Sequence, residues 1–173
     1  FNKHFPIKGG IFGRTVDWFK AVDNVNLQVR KGRTLGLVGE SGCGKSMTAL
    51  ALMGLLPESA TLDGSVAFNG RDLRPLDEAV MCRIRGNAIA MVFQEPMTSL
   101  NPVLRVATQM NEILVKHEGL TEEDATQKSI EMLDKVGIPE PSRRINDYPH
   151  QFSGGMRQRV MIASALLTNP KLL

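Results

Sequence analysis

Eight residues, Gly39-Glu40-Ser41-Gly42-Cys43-Gly44-Lys45-Ser46, constrain this chain more than any other stretch. They spell G-x-x-x-x-G-K-S. A short apolar run (Leu35, Leu37, Val38) precedes them, and an apolar segment with few breakers follows as far as Leu56. The short run predicts a buried parallel strand and the longer segment a helix. Strand, glycine loop and helix in that order form the context in which this motif holds phosphate. Glycines at 39, 42 and 44 let successive backbone N–H groups turn inward into an anion-binding concavity. The dipole of the following helix points at the same spot. Lys45 brings a full charge for β- and γ-phosphates, and the Ser46 hydroxyl is a ligand for a bridging Mg²⁺. Glu40, Ser41, Cys43 and Met47 complete the expected nucleotide-binding stretch, with Cys43 a small filler at a variable position.

The 173 residues suffice for one domain with a core, and the charge of +3 suits a phosphate ligand without arguing for nucleic acid. Cys43 and Cys82 form no C-x-x-C pair, which fits a reducing cytosol and gives no cysteine-rich metal site. No apolar run approaches the roughly 20 residues of a membrane span, and the start lacks the apolar core of a signal peptide. The first residue is Phe1 rather than Met, which reads as a processed or excised piece.

Residues 1–20 carry Phe1, Phe5, Phe12, Trp18 and Phe19 around Gly9-Gly10 and Gly13, a loop or hairpin pattern. An aromatic here is either packing, the preferred reading, or a flat face for a nucleotide base. Val25–Val29 alternates and predicts a half-buried strand. Asp63-Gly64 and Asn69-Gly70 bracket residues 65–69, predicting strands of a small antiparallel sheet. Residues 76–85 predict a short helix, and Ala88–Phe93 another buried strand. Gln94 ends that strand, where ligands bind in open α/β sheets. It reads either as a group reaching Mg²⁺ or an attacking water, or as a polar end bonded to its loop.

Residues 97–150 are expected to be mostly helical. Val106–Lys116 predicts one helix. Thr121-Glu-Glu-Asp124 opens a second, with Ala125, Ile130, Leu133 and Val136 inward and Gly137 and Pro139 at its end. Arg143-Arg144 reads as a solvated basic pair. Ser153-Gly154-Gly155 then precedes another apolar helix. A serine N-cap followed by bare glycine N–H groups makes a second anion site. Two such sites suggest a ligand shared within the chain or between two copies.

These motifs together resemble the nucleotide-binding subunit of an ATP-binding-cassette (ABC) transporter. Gly39–Ser46 is similar to its Walker A loop, Gln94 to its Q-loop glutamine, and Phe152–Met156 to its signature motif, with Phe152 and Met156 replacing the commoner Leu and Gln. Residues 91–102 and 148–163 look closer still to the oligopeptide/dipeptide importer ATPases. The resemblance implies an α/β fold: a P-loop NTPase core with an antiparallel β subdomain and an inserted α-helical subdomain. It divides the chain into a core and β subdomain (1–94), a helical subdomain (95–152), and the signature helix with the start of the Walker B strand (153–173).

The resemblance further implies ATP with Mg²⁺ as cofactors, and Ser46 and Gln94 as the metal-facing residues. It sets Ser153, Gly154, Gly155 and Met156 against the ATP of a partner ATPase subunit. Phe5 is the best match for the aromatic that stacks on adenine, with Trp18 and Phe19 as runners-up. Implied partners are a second ATPase subunit and transmembrane permease subunits, with a solute-binding protein acting indirectly and no nucleic acid. The implied place is the cytoplasmic face of the inner membrane, peripherally bound. The implied function is ATP-driven peptide import. Alternatives are an importer of nickel or another small solute, or a non-transport P-loop ATPase such as a DNA-repair ATPase. The short helical segment, without long heptads or zinc-type cysteines, argues against the last.

The family's metal-binding Asp, catalytic Glu and switch His come after the point where Pro170–Leu173 aligns, and His4, His117 and His150 do not match the switch. No catalytic residue, and no C-terminal part of the fold, is therefore expected within 1–173. Residues 1–173 alone are expected to hydrolyse ATP negligibly, whereas the intact parent is an ATPase.

Overall fold

Residues 14–22 are rich in the β-branched and aromatic types that suit a pleated surface (Thr15, Val16, Trp18, Phe19, Val22), and they form a strand. The computed structural model describes residues 2–9, 14–22, 25–58, 60–95 and 99–173, with backbone alone at 2–9, 14–22 and 61. The chain forms two compact units, Phe1–Met81 and Cys82–Leu173.

In the first unit, β1 (Asn2–Gly9) and β2 (Arg14–Val22) make an antiparallel hairpin. Phe5 pairs with Phe19 and Pro6 with Trp18, so the three aromatic candidates occupy adjacent rungs. Strand β3 (Thr61–Asp63) adds to the other edge of β1, giving the order β2-β1-β3. A second hairpin joins β4 (Ala67–Phe68) to β5 (Arg71–Asp72). Its turn is Asn69-Gly70 with φ of 49° and 80°, the left-handed pair that a two-residue hairpin loop requires. Helix α1 (Lys45–Leu52) follows the glycine loop. Helix α2 (Glu78–Ile84) is the short helix expected near 76–85, opened by Asp77 Oδ1 accepting from the Val80 amide at 2.7 Å.

Three expected strands are not strands here. Among the described residues, Val25–Val29 and Leu35–Val38 are not in strands, and Leu27, Val29, Leu35 and Leu37 are each more than 40% exposed, Val38 95%. Ala88–Phe93 contributes only a bridge: Ile89 pairs parallel with Arg85 and with Leu172, and the Ala90 amide donates to the Leu172 carbonyl at 2.9 Å. A buried parallel strand exists only where flanking strands take its N–H and C=O groups. Among the described residues, Leu35–Val38 has no such neighbour.

The second unit is helical. Helix α3 spans Val106–Glu118, α4 Glu122–Lys135, α5 Pro141–Arg144 and α6 Gly154–Leu166, with a 3₁₀ turn at Pro149–Gln151 before α6. Thr121 caps α4 as expected, accepting from the Asp124 amide at 3.1 Å. Ala125 and Leu133 of α4 are fully buried, and Ile130 and Val136 pack partly buried against the same core. Met110 and Leu114 from α3 and Val160 and Ala163 from α6 complete its centre. A buried polar cluster pins α3 to α4: the Asn111 amide donates to Thr126 Oγ1 at 2.6 Å, and Ser129 Oγ donates to Asn111 Oδ1 at 3.0 Å. Each polar atom has its partner, which a core must provide.

The basic pair is not simply solvated. Arg143 is exposed and bonds Glu140 at 2.9 Å, holding that carboxyl below its usual range. Arg144 instead lies over the Phe152 ring, 5.8 Å from its centroid, with Asp147 at 3.4 Å. The guanidinium of Arg144 therefore braces the residue that leads into the Ser153 cap.

Candidate functional site

The first cluster is the glycine loop. Gly42 and Gly44 hold φ of 82° and 90°, a region closed to most side chains. Gly44 is the N-cap of α1; it offers no side-chain cap, and the first turn holds no acid. The Thr48 amide and hydroxyl both donate back to the Gly44 carbonyl, at 2.9 and 3.0 Å, which fixes the loop-to-helix joint. Lys45 folds back over the loop: Nζ donates to the Gly39 carbonyl at 2.7 Å and the Glu40 carbonyl at 2.6 Å. Its remaining donor meets Cys43 Sγ at 3.4 Å, a weak acceptor that a charged oxygen would displace. The lysine thus laces the loop closed and keeps its charge at the helix N-terminus. The Ser46 hydroxyl is exposed in the first turn beside it.

The loop is tight enough to test. A Cβ added at Gly39 would lie 2.5 Å from Cys43 Sγ but 3.6 Å from Cys43 Cβ. Gly39→Ala is expected to loosen the loop, raising hydrogen exchange across 39–44 by at least about fivefold, the effect of one lost kcal/mol. In the Gly39→Ala/Cys43→Ala pair the clash is gone, and exchange should return toward that of Cys43→Ala alone. Equal exchange in the single and double variants would show that the thiol is not what fills the loop.

The second cluster belongs to the second unit. Ser153 is the N-cap of α6, and its Oγ accepts from the Met156 amide at 3.3 Å. Ser153, Gly154 and Gly155 are exposed, and the first turn again carries no acid. Neither glycine needs to be glycine for the fold: φ is not positive, and a Cβ at either would meet nothing within 4 Å. The approach to this turn is built by the preceding residues. Phe152 is 2% exposed, and Arg157 Nε donates to its carbonyl at 3.1 Å. Tyr148 stacks on His150 at 5.6 Å, the Arg105 guanidinium lies 5.7 Å from the Tyr148 ring centroid, and Gln151 Oε1 accepts from the Tyr148 amide at 2.8 Å.

Gln94 is an exposed bend residue of the second unit, at the end of the bridged segment rather than of a strand. The glycine loop lies in the first unit. Phe5 sits in β1; its side chain lies outside the described residues. His117 faces the Gly86 turn, where burial and then Lys116 hold its imidazole below the usual range. Among the described residues there is no group of three His, Cys, Asp or Glu that could hold a metal.

Sequence reasoning missed Gln109. From α3 its side chain reaches back around the 101–104 turn: Oε1 accepts from the Asn101 amide at 2.8 Å, and Nε2 donates to the Asn101 and Leu104 carbonyls, both at 3.0 Å. Sequence reasoning also missed that α3 starts without a side-chain cap. The Val106 and Ala107 amides donate instead to the Asp147 and Ile145 carbonyls, at 3.0 and 2.7 Å.

The sequence profile described as ABC transporter matches residues 22–173. The oligopeptide transport ATP-binding protein OppD of Salmonella typhimurium is 54% identical over 153 residues, covering 88% of this chain and 46% of that protein. OppD of Bacillus subtilis is 51% identical over 156 residues, covering 89% of this chain and 44% of its own length. The chain thus spans about half the length of the relatives it matches. Among solved structures, the dimeric ATP-binding cassette MJ0796 in a post-hydrolysis state with ADP and Pi superposes with a TM-score of 0.80. That match has 31% identity and covers 98% of this chain and 68% of that one. The fold is therefore that of an α/β P-loop cassette, as the family resemblance implies.

Proposed function

Because the chain belongs to the ABC transporter family, we propose that it is part of the ATP-binding subunit of an oligopeptide or dipeptide importer, the subunit that powers uptake by binding and hydrolysing ATP. One observation carries this reading. Two helix N-termini of the chain combine glycines at the helix start with a first turn free of acidic residues, one behind the glycine loop and one behind Ser153. A single nucleotide needs one phosphate cradle; a second cradle has a use where two subunits each lend one to a shared ATP.

In this reading Gly39–Ser46 and Met47 hold the phosphates, and Phe5 stacks on adenine. Ser153, Gly154, Gly155 and Met156 face the ATP of the partner subunit. Ser46 and Gln94 each carry a hard oxygen donor of the kind Mg²⁺ takes. The cassette divides into a core with its β subdomain (1–94), a helical subdomain (95–152), and the signature helix with the start of the Walker B strand (153–173). It works peripherally, at the cytoplasmic face of the membrane, with a second ATPase subunit and permease subunits. The approximately half-identical relatives are named for oligopeptide transport, which supports peptide over nickel or another small solute.

The test is peptide uptake into vesicles carrying the full-length subunit with its permease partners. Uptake should depend on ATP and on oligopeptide. ATP-dependent uptake of a metal ion alone would transfer the reading to the small-solute importers. The same assembly locates the partner. Segment 95–110 follows Gln94, and its exposed Val103 (75%) and Leu104 (36%) form an apolar tip. Cysteines replacing Ser99 or Val103 are expected to crosslink to a cytoplasmic helix of the permease. Crosslinks found only from the opposite face of this unit would show that the partner docks elsewhere.

A further inference from the structure

We propose that Gln109 is a positioning residue that holds the Asn101–Leu104 turn in the shape a membrane partner meets, and so sets how strongly that partner stimulates hydrolysis. The inference rests on the docking reading above and adds to it the residue that gives the docking surface its form. Four residues of irregular chain ending in an exposed apolar tip would ordinarily be mobile, since little buried contact opposes local opening. Here the turn is held from within. Gln109, half-buried on α3, makes three hydrogen bonds to it, and Asn101 Oδ1 accepts from the Val103 amide at 3.1 Å. Leu100 anchors its near end in the core at 7% exposure.

The frame that Gln109 stands on is shared. The first amides of α3 are satisfied by the carbonyls of Ile145 and Asp147, and the chain runs from there through Phe152 to the Ser153 cap. A partner pressing on a rigid turn therefore moves the helical frame, whereas a partner pressing on a loose turn only rearranges the turn. A glutamine suits the task because one side chain presents an acceptor and a two-proton donor, matching an amide and two carbonyls at once.

The test uses the full-length subunit, alone and assembled with its membrane partner, with Gln109→Met and Gln109→Glu beside the unaltered protein. Both replacements are good helix formers. The methionine removes all three bonds. The glutamate keeps the acceptor for the Asn101 amide but loses both donated bonds, and it carries the comparison if the methionine variant does not fold. Hydrogen exchange at the Asn101 amide should rise at least about fivefold in Gln109→Met and less in Gln109→Glu. Partner-stimulated hydrolysis should fall in the same order, by about fivefold or more for methionine, while basal hydrolysis and nucleotide affinity stay within about twofold. Equal loss of basal and stimulated rates would reduce Gln109 to a stability role and overturn the proposal. So would full stimulation with a loosened turn. An unaltered assembly that shows no partner stimulation removes the functional reading and the coupling role with it, while the exchange arm still decides whether Gln109 holds the turn.

Discussion

Lys45→Ala is expected to weaken MgATP binding by about 10- to 100-fold: a hydrogen bond to a charged group contributes about 1.5–3 kcal/mol, and about 1.4 kcal/mol is a factor of ten. Read from sequence, Lys45 is only a charge for the phosphates, so alanine would leave the loop as it was. The structure gives the ammonium a second task, because it also ties the Gly39 and Glu40 carbonyls together. Alanine should therefore loosen the loop as well as discharge it, with little cost to global stability because these bonds are exposed. Calorimetric titration of the full-length subunit reads the affinity, and hydrogen exchange across 39–44 reads the loop. Retained affinity in a folded Lys45→Ala variant would remove the phosphate-loop assignment. Retained affinity in Lys45→Arg alone would show that charge suffices and that the lacing is secondary.

What the sequence made legible is chemistry that acts within one turn of chain. The Thr121 and Ser153 caps reach amides three residues on, and both helices were expected from those residues. The glycine loop is likewise a matter of consecutive backbone angles, and the Asn69-Gly70 hairpin of two. Pairings between distant segments were not legible. Leu35–Val38 and Val25–Val29 have strand composition, yet a ladder depends on what lies alongside, which no local pattern records. The start of α3 is the helical counterpart. Arg105 is a poor N-cap by type, and the groups that do the capping lie some 40 residues later, on the carbonyls of Ile145 and Asp147. Gln109 on an amphipathic helix resembles a solvated polar residue. Its role follows from the turn folding back over it.

The second large effect is expected at the Ser153 turn, where fold and function should respond with opposite signs. Gly154 is the first residue of α6, with no positive φ and open space where a Cβ would stand. Glycine costs a helix up to about 1 kcal/mol relative to alanine, and nothing in the fold requires it here. An aspartate in a first helical turn typically stabilises by about 0.3–1 kcal/mol through the helix dipole. Gly154→Asp should therefore leave the melting temperature of the full-length subunit unchanged or higher. The same carboxylate would stand where the partner's phosphates are proposed to rest. Like charges about 4 Å apart at an effective dielectric of about 20 repel by about 4 kcal/mol, and each 1.4 kcal/mol is about tenfold in rate. ATP-driven pairing of subunits should be lost and steady-state hydrolysis should fall by about 100-fold or more. Gly154→Ala separates size from charge: it should match the aspartate variant in stability and lie between it and the unaltered protein in hydrolysis. A lowered melting temperature with hydrolysis preserved would mean that the glycine serves the helix itself, and the second anion site would have no ligand to explain it.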